Sequence, residues 1–265
     1  SNGFSLSIAT EWLKNEDGCL KQDCEQKALK RLLENLKRDF PKLPLCILLD
    51  GLFASGPVME QIKSKGWEYI IVWKDGNLKK VQEQLKDLGL EKQVERINKE
   101  EIHNPKSTTD HIYEYSKAAL IHQGHQFYYI KHELQTSQVG DPSVKDKKRF
   151  INICSIPPNK ANITELTEAG RMRWKIENEG FNAQKNHGFN LHHKYVRKHF
   201  TGIRNYYMCM QIAHIIEQLF VLCKNKIMQG WKTLKGMWKQ LWATIFLVPL
   251  ELFPPCEKLK LNYRY

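Results

Sequence analysis

The residues best equipped for chemistry lie in the stretch Gly170-Arg171-Met172-Arg173-Trp174-Lys175-Ile176-Glu177-Asn178-Glu179-Gly180-Phe181-Asn182-Ala183-Gln184-Lys185-Asn186. It reads as a helix that sets carboxylates, cations and an aromatic on neighbouring turns. A helix that only covers a core carries apolar residues at i, i+3, i+4 and i+7. Trp174, Ile176 and Phe181 make no such stripe. Arg173 and Glu177 are four apart and share a face, with Gln184 and Lys185 two turns further on. A carboxylate flanked by cations suits metal and phosphate chemistry. The plainer reading is a solvated helix with an i,i+4 ion pair.

A second carboxylate stands in a different setting. Leu45-Cys46-Ile47-Leu48-Leu49 is a continuous apolar run closing on Asp50-Gly51, the pattern of a buried parallel strand that ends in a turn. In open α/β sheets ligands bind beyond the carboxyl ends of strands, so Asp50 is well placed for catalysis. An Asp-Gly pair is also a common turn former with no chemistry. Together, Asp50 on a strand end and Glu177 on a helix could hold divalent ions at a phosphodiester. Arg173, Lys175 and Lys185 would then neutralise phosphates nearby.

These side chains need a scaffold, and the remaining sequence describes one. Phe4 to Trp12 alternates apolar and small polar residues as a strand does. Residues 22–39 form an amphipathic helix with Ala28, Leu29, Leu32, Leu33 and Leu36 on one side, ended by Pro41 and Pro44. Pro57 opens a helix through about Lys65. Tyr69-Ile70-Ile71-Val72-Trp73 is another buried strand, ended by Asp75-Gly76. Residues 77–100 read as a highly charged helix. Beyond them Tyr113–Tyr115, Phe127–His132 and Arg149–Cys154 read as strands. Asn162-Ile163-Thr164-Glu165 resembles a helix start with a capping-box element, and residues 192–245 are mainly helical. Alternating strands and helices imply an α/β class.

The chain has 265 residues and a formal net charge of +12. That excess of Lys and Arg favours a polyanionic partner, nucleic acid before a membrane surface. The apolar run Trp242–Leu250 is about half the length of a membrane span and is interrupted by Pro249, so no membrane association is expected and the setting is read as cytoplasmic. The seven cysteines are odd in number and scattered. They lack zinc-ligand spacing, and Cys46 and Cys154 read as small core residues.

The run ending Leu48-Leu49-Asp50-Gly51-Leu52, the segment Glu68–Gly76 and the block Arg173-Trp174-Lys175-Ile176-Glu177-Asn178-Glu179-Gly180-Phe181-Asn182 resemble bacterial insertion-sequence transposases. These are the DDE enzymes, whose ribonuclease H-like catalytic domain is interrupted by a β-rich insertion. The resemblance runs from about residue 3 to about residue 222. It implies an α/β fold with a ribonuclease H-like mixed sheet, a β-rich insertion and a helical C-terminal region. The boundaries it implies are 1–100 for a partial core, 101–156 for the insertion, 157–190 for the core helix with the catalytic Glu, and 191–265 for the helical C-terminal region. It further implies nicking and strand transfer with Mg²⁺, for which Mn²⁺ can substitute. Double-stranded DNA, as element ends and target, would be the partner, and a homodimer is an expectation of the same kind. The family's second catalytic Asp maps onto Asp50, its Glu onto Glu177 and its signature Arg onto Arg173.

The chain departs from that pattern at three places. The family carries Tyr three residues before the signature Arg, where this chain has Gly170. Its Lys falls seven residues after the Glu, at Gln184 here, with Lys185 next door; Lys185 takes that role only if the helix ends or shifts. Its first Asp lies on a strand earlier than the segment resembling Phe4–Trp12. No Asp precedes Asp17, which sits in the loop-like Asn15-Glu16-Asp17-Gly18. The expectation is a shortened transposase lacking the first catalytic Asp, with little or no strand transfer of its own. The alternatives are a non-catalytic DNA-binding remnant and a metal-dependent nuclease of the same fold. His187, His192 and His193 near the signature block are either phosphate contacts or solvated. The Tyr206 to Phe220 helix is core or interface, and Trp231, Trp238 and Trp242 form a stripe at roughly helical spacing.

Overall fold

The computed structural model describes residues 5–13, 23–74, 81, 83–85, 88–99, 107–138, 141–193, 195–196 and 198–223. The chain divides into two compact units, Ser7–Gly180 and Ser1–Leu6 with Phe181–Tyr265. Asp17, Asp75-Gly76 and the Trp231, Trp238 and Trp242 stripe lie outside the described residues.

In the first unit the elements run α1 (Glu25–Asp39), β1 (Cys46–Leu49), a 3-10 turn (Gly51–Phe53), α2 (Gly56–Lys63), β2 (Glu68–Val72), β3 (Leu90–Lys99), β4 (Ser107–Ser116), β5 (Leu120–His122), β6 (His125–Gln138), β7 (Asp141–Cys154) and α3 (Ile163–Arg171). The sheet has seven strands in the order β1-β2-β7-β6-β4-β3, with β5 pairing β6 off this path. β1 and β2 are parallel, Leu48 opposite Ile70, whereas β2 and β7 are antiparallel, Ile71 opposite Ile153. This is a mixed α/β sheet of the kind the sequence implies, consistent with a ribonuclease H-like fold. The strands expected around Tyr113–Tyr115, Phe127–His132 and Arg149–Cys154 all form, and they continue the sheet begun by β1 and β2.

β2 explains the layering. Successive strand residues point to opposite faces, so Tyr69 and Ile71 join one apolar cluster and Ile70 the other. The first cluster receives Leu29, Leu33 and Leu36 of α1 with Val58, Met59 and Ile62 of α2. The second receives Ile163 and Leu166 of α3, with Tyr113, Tyr115 and Ile130. Each such fully buried apolar side chain contributes about 1.5–3 kcal/mol. α1 also places Glu25 in its first turn and Lys37 and Arg38 in its last, which complements the helix dipole. Pro57 sits in the first turn of α2.

Several expectations are corrected. Residues 5–13 form no strand; an alternating pattern needs a neighbour to hydrogen-bond, and none of the described strands pairs with it. The charged helix over 77–100 is also wrong in its second half. Val81 and residues 83–85 are helical, but Leu90–Lys99 is β3, paired residue by residue with β4 from Leu90 opposite Ser116 to Lys99 opposite Ser107. β1 is only half-buried because it ends the described sheet, and Cys46 on it is exposed; Cys154 is buried as expected. α3 starts at the expected place, yet Asn162 makes no side-chain cap. Its Oδ1 instead accepts from the Asn159 N–H at 2.7 Å and its Nδ2 donates to the Pro157 carbonyl at 3.0 Å.

In the second unit α4 (Ala183–Asn186) and α5 (Phe200–Cys223) are the described helices. Met210, Gln211 and His214 form the buried side of α5, while Ile212, Ile216 and Leu219, expected in a core or an interface, are exposed. Among the described residues no helix is long and apolar enough to cross a membrane.

Candidate active site and nucleic-acid interface

Asp50 follows β1 directly and begins the turn Gly51–Phe53, its side chain accepting from the Leu52 N–H at 2.9 Å. It is thus both the turn former and the strand-end carboxylate that the sequence allows. Gly51 backs onto the end of β2: a Cβ there would meet Lys74 Cγ at 3.0 Å and the Val72 carbonyl at 3.2 Å. A side chain at 51 would push this turn off the β2 terminus, so glycine serves close approach here.

Glu177 lies in a stretch whose backbone is not the single helix expected over 170–186. α3 ends at Arg171. Tight three-residue steps follow, Lys175 N to Met172 O at 3.0 Å and Ile176 N to Arg173 O at 3.4 Å. Then Ile176–Asn182 winds as a π-helix before α4 begins. Such turns are rare and cluster at functional sites. Arg173 Nη1 donates to Glu177 Oε1 at 2.8 Å, and Glu177 is 60% exposed. Lys175 reaches Glu179 at 3.2 Å. Trp174, Ile176 and Phe181 are all exposed, as their lack of a stripe implies.

Gly170 is buried where the family pattern carries Tyr. A Cβ there would lie 3.0 Å from Asn152 Nδ2 and 3.2 Å from Ile70 Cγ2. The helix has closed onto the sheet at this point and leaves no room for a ring.

Within the second unit Gln184 is buried. It donates to Gln211 Oε1 at 2.9 Å, accepts from Gln211 Nε2 at 3.0 Å and lies 3.1 Å from His214 Nδ1. Lys185 is exposed and lines a cavity of about 410 Å³ with Asn190, His192, His193 and Tyr195. Gln184 is therefore a packing residue and Lys185 the available cation. A π turn holds one residue more than an α turn, and this chain has one residue more between its Glu and its Lys than the family spacing.

A cluster of positive charge among the described residues is not legible as a group in the sequence. A cavity of about 680 Å³ opens at the carboxyl end of β2, lined by Lys74, Arg149, Arg171 and Arg173, with Trp73, Phe150 and Trp174 among its walls. Lys74 follows β2, Arg149 lies within β7, and Arg171 and Arg173 stand at and just beyond the end of α3, so no contiguous motif joins them. Arg149 donates to Glu133 Oε2 at 3.1 Å. That carboxyl is held below its usual range by the hydrogen bond from Gln135 and by Lys131.

Asp50 and Glu177 are hard oxygen donors, a chemistry that fits Mg²⁺ or Mn²⁺. Each has one oxygen engaged, with Leu52 and Arg173 respectively, and a second oxygen for a cation. Among the described residues no group of three His, Cys, Asp or Glu side chains converges as a complete metal-binding set.

A family model described as "Transposase DDE domain" matches residues 22–208, a span that includes both Asp50 and Glu177. No match is found among curated proteins.

Proposed function

Because the chain belongs to the transposase DDE-domain family, we propose that it acts on double-stranded DNA by divalent-metal-dependent nicking and transfer of strands. Asp50 and Glu177 are the proposed metal ligands. The metal is proposed to be Mg²⁺, with Mn²⁺ able to replace it. A bound divalent ion would activate a water or 3′-hydroxyl and stabilise the leaving oxygen at a phosphodiester. The chain's own residues position the DNA. Arg173 orients Glu177 through their ion pair and offers its remaining N–H groups to a phosphate. Lys175 and Lys185 contribute further phosphate contacts. The basic cavity at the carboxyl end of β2, lined by Arg173 and by Lys74, whose stem lies against Gly51, is the observation that carries this reading.

The same reading assigns 101–156 to a β-rich insertion, 191–265 to a helical C-terminal region, and the working form to a cytoplasmic homodimer on paired DNA ends.

A second reading is favoured by one observation: no complete set of three metal-ligating side chains converges among the described residues. It is a DNA-binding remnant that keeps the basic surface without the chemistry. Supercoiled DNA incubated with the chain and Mg²⁺ separates the two. Nicking that disappears on chelation, in Asp50→Asn and in Glu177→Gln supports the first. DNA binding without nicking, unchanged by those substitutions and weakened by Arg173→Ala, supports the second. Strand-transfer products would distinguish a transposase from a nuclease of the same fold.

A further inference from the structure

The four cations of the cavity at the end of β2 are not equivalent. Arg149 is paired with Glu133 and Arg173 with Glu177. Arg171 and Lys74 line the same cavity, and among the described residues neither has a carboxylate partner. Two unpaired cations in a shared recess repel each other, and an anion seated between them removes that cost.

Arg171 is also held in place. Its guanidinium lies over the Phe150 ring, 4.7 Å from the centroid. Phe150 is the cross-strand partner of His132, and His132 is the partner of Tyr113. The Tyr113 and His132 rings are stacked at 4.7 Å and 12°, and His132 and Phe150 are 6.2 Å apart. His132 and Tyr113 are both buried. A ring ladder across three strands therefore ends under Arg171 and limits its rotamers. A planar guanidinium fixed over a ring, with no carboxylate partner among the described residues, is pre-organised for two-point contact with an oxyanion.

We propose that Arg171, with Lys74, is a phosphate-binding pair that seats a backbone phosphodiester of the DNA in this cavity, and that Phe150 is the residue that positions Arg171. This rests on the reading of the chain as a DNA-acting protein and adds to it residues outside the family's signature.

The test is binding of the full chain to a fluorescent double-stranded oligonucleotide across a range of salt, with the thermal midpoint recorded for every variant. Arg171→Ala should weaken binding about tenfold and reduce the slope of log K against log[salt] by about one, as loss of one phosphate contact requires. Lys74→Ala should do the same. Phe150→Leu should weaken binding without changing the slope, and Phe150→Tyr should restore it, which a merely space-filling role would not demand. Should Arg171→Ala fail to fold, Arg171→Met keeps the stem and carries the same test. If the wild-type chain binds and Arg173→Ala weakens it while folded Arg171→Ala keeps wild-type affinity and slope, this inference is wrong and the functional reading stands. If the wild-type chain binds no DNA at any salt, both fail.

Discussion

Arg173 Nη1 lies 2.8 Å from Glu177 Oε1, one turn apart on the same exposed face. The pair joins the proposed metal ligand to the signature cation, and its exposure separates its structural from its chemical worth. Surface i,i+4 pairs contribute only about 0.3–0.5 kcal/mol. Glu177→Gln should accordingly leave the denaturation midpoint almost unchanged while removing divalent-dependent nicking. A loss of several kcal/mol in urea unfolding would show that Glu177 is structural.

Gly170 offers a sharper structural test. The family's aromatic at this position would have to occupy space taken by Asn152 and Ile70. Overpacking of this kind costs about 1–3 kcal/mol. Gly170→Tyr should lower the unfolding free energy by that amount, read as a lower urea midpoint with an unchanged slope. Unaltered stability would mean that α3 can lift from the sheet without cost.

Gln184 and Lys185 should respond in opposite ways to exchange of charge. Gln184 is 2% exposed and engaged with Gln211 and His214. Gln184→Lys restores the family spacing in sequence but buries an unpaired ammonium, at a cost on the order of 3 kcal/mol. Lys185→Gln is exposed and should stay within about 0.5 kcal/mol of wild type. Thermal unfolding of the two variants side by side checks this, and equal midpoints would contradict the burial of Gln184.

His132 makes stability depend on pH. Burial, with His111 and Arg171 nearby, pushes its pKa down from 6.5 to about 4. Between these values the unfolded chain binds the proton and the folded chain does not, so stability rises with pH. The contribution is fully present above about pH 6.5 and is lost as pH falls through about 4, by no more than about 3 kcal/mol. His132→Phe should flatten stability over this window. An unchanged pH profile in that variant would show that other groups cause the loss.

The legible parts of the fold were those where one physical signal dominates. β1 and β2 stood out as apolar runs ended by Asp-Gly, and α2 by Pro57 in its first turn. β3 did not, because Leu90–Lys99 is rich in Glu, Lys and Gln, which favour helices. It sits at the end of the described sheet, where charged residues are tolerated and even protective, and its pairing with β4 overrode local propensity. The Phe4–Trp12 alternation misled for the converse reason, a strand pattern without a partner strand. The i,i+4 relation of Arg173 and Glu177 could be read directly from spacing. The π-helix around it could not, and its one visible trace was the extra residue before Lys185. Lys74, Arg149 and Arg171 were invisible as a group because only the fold brings them to one cavity.

Asp50 and Glu177 are proposed to bind a divalent ion together. Direct titration of Mn²⁺ into the full chain, followed by electron paramagnetic resonance, tests it without relying on turnover. The account predicts saturable binding to the wild-type chain, weakened at least about tenfold by either Asp50→Asn or Glu177→Gln, as expected when one of two hard ligands is removed. Binding that is absent, or that is the same in wild type and both variants, would contradict it.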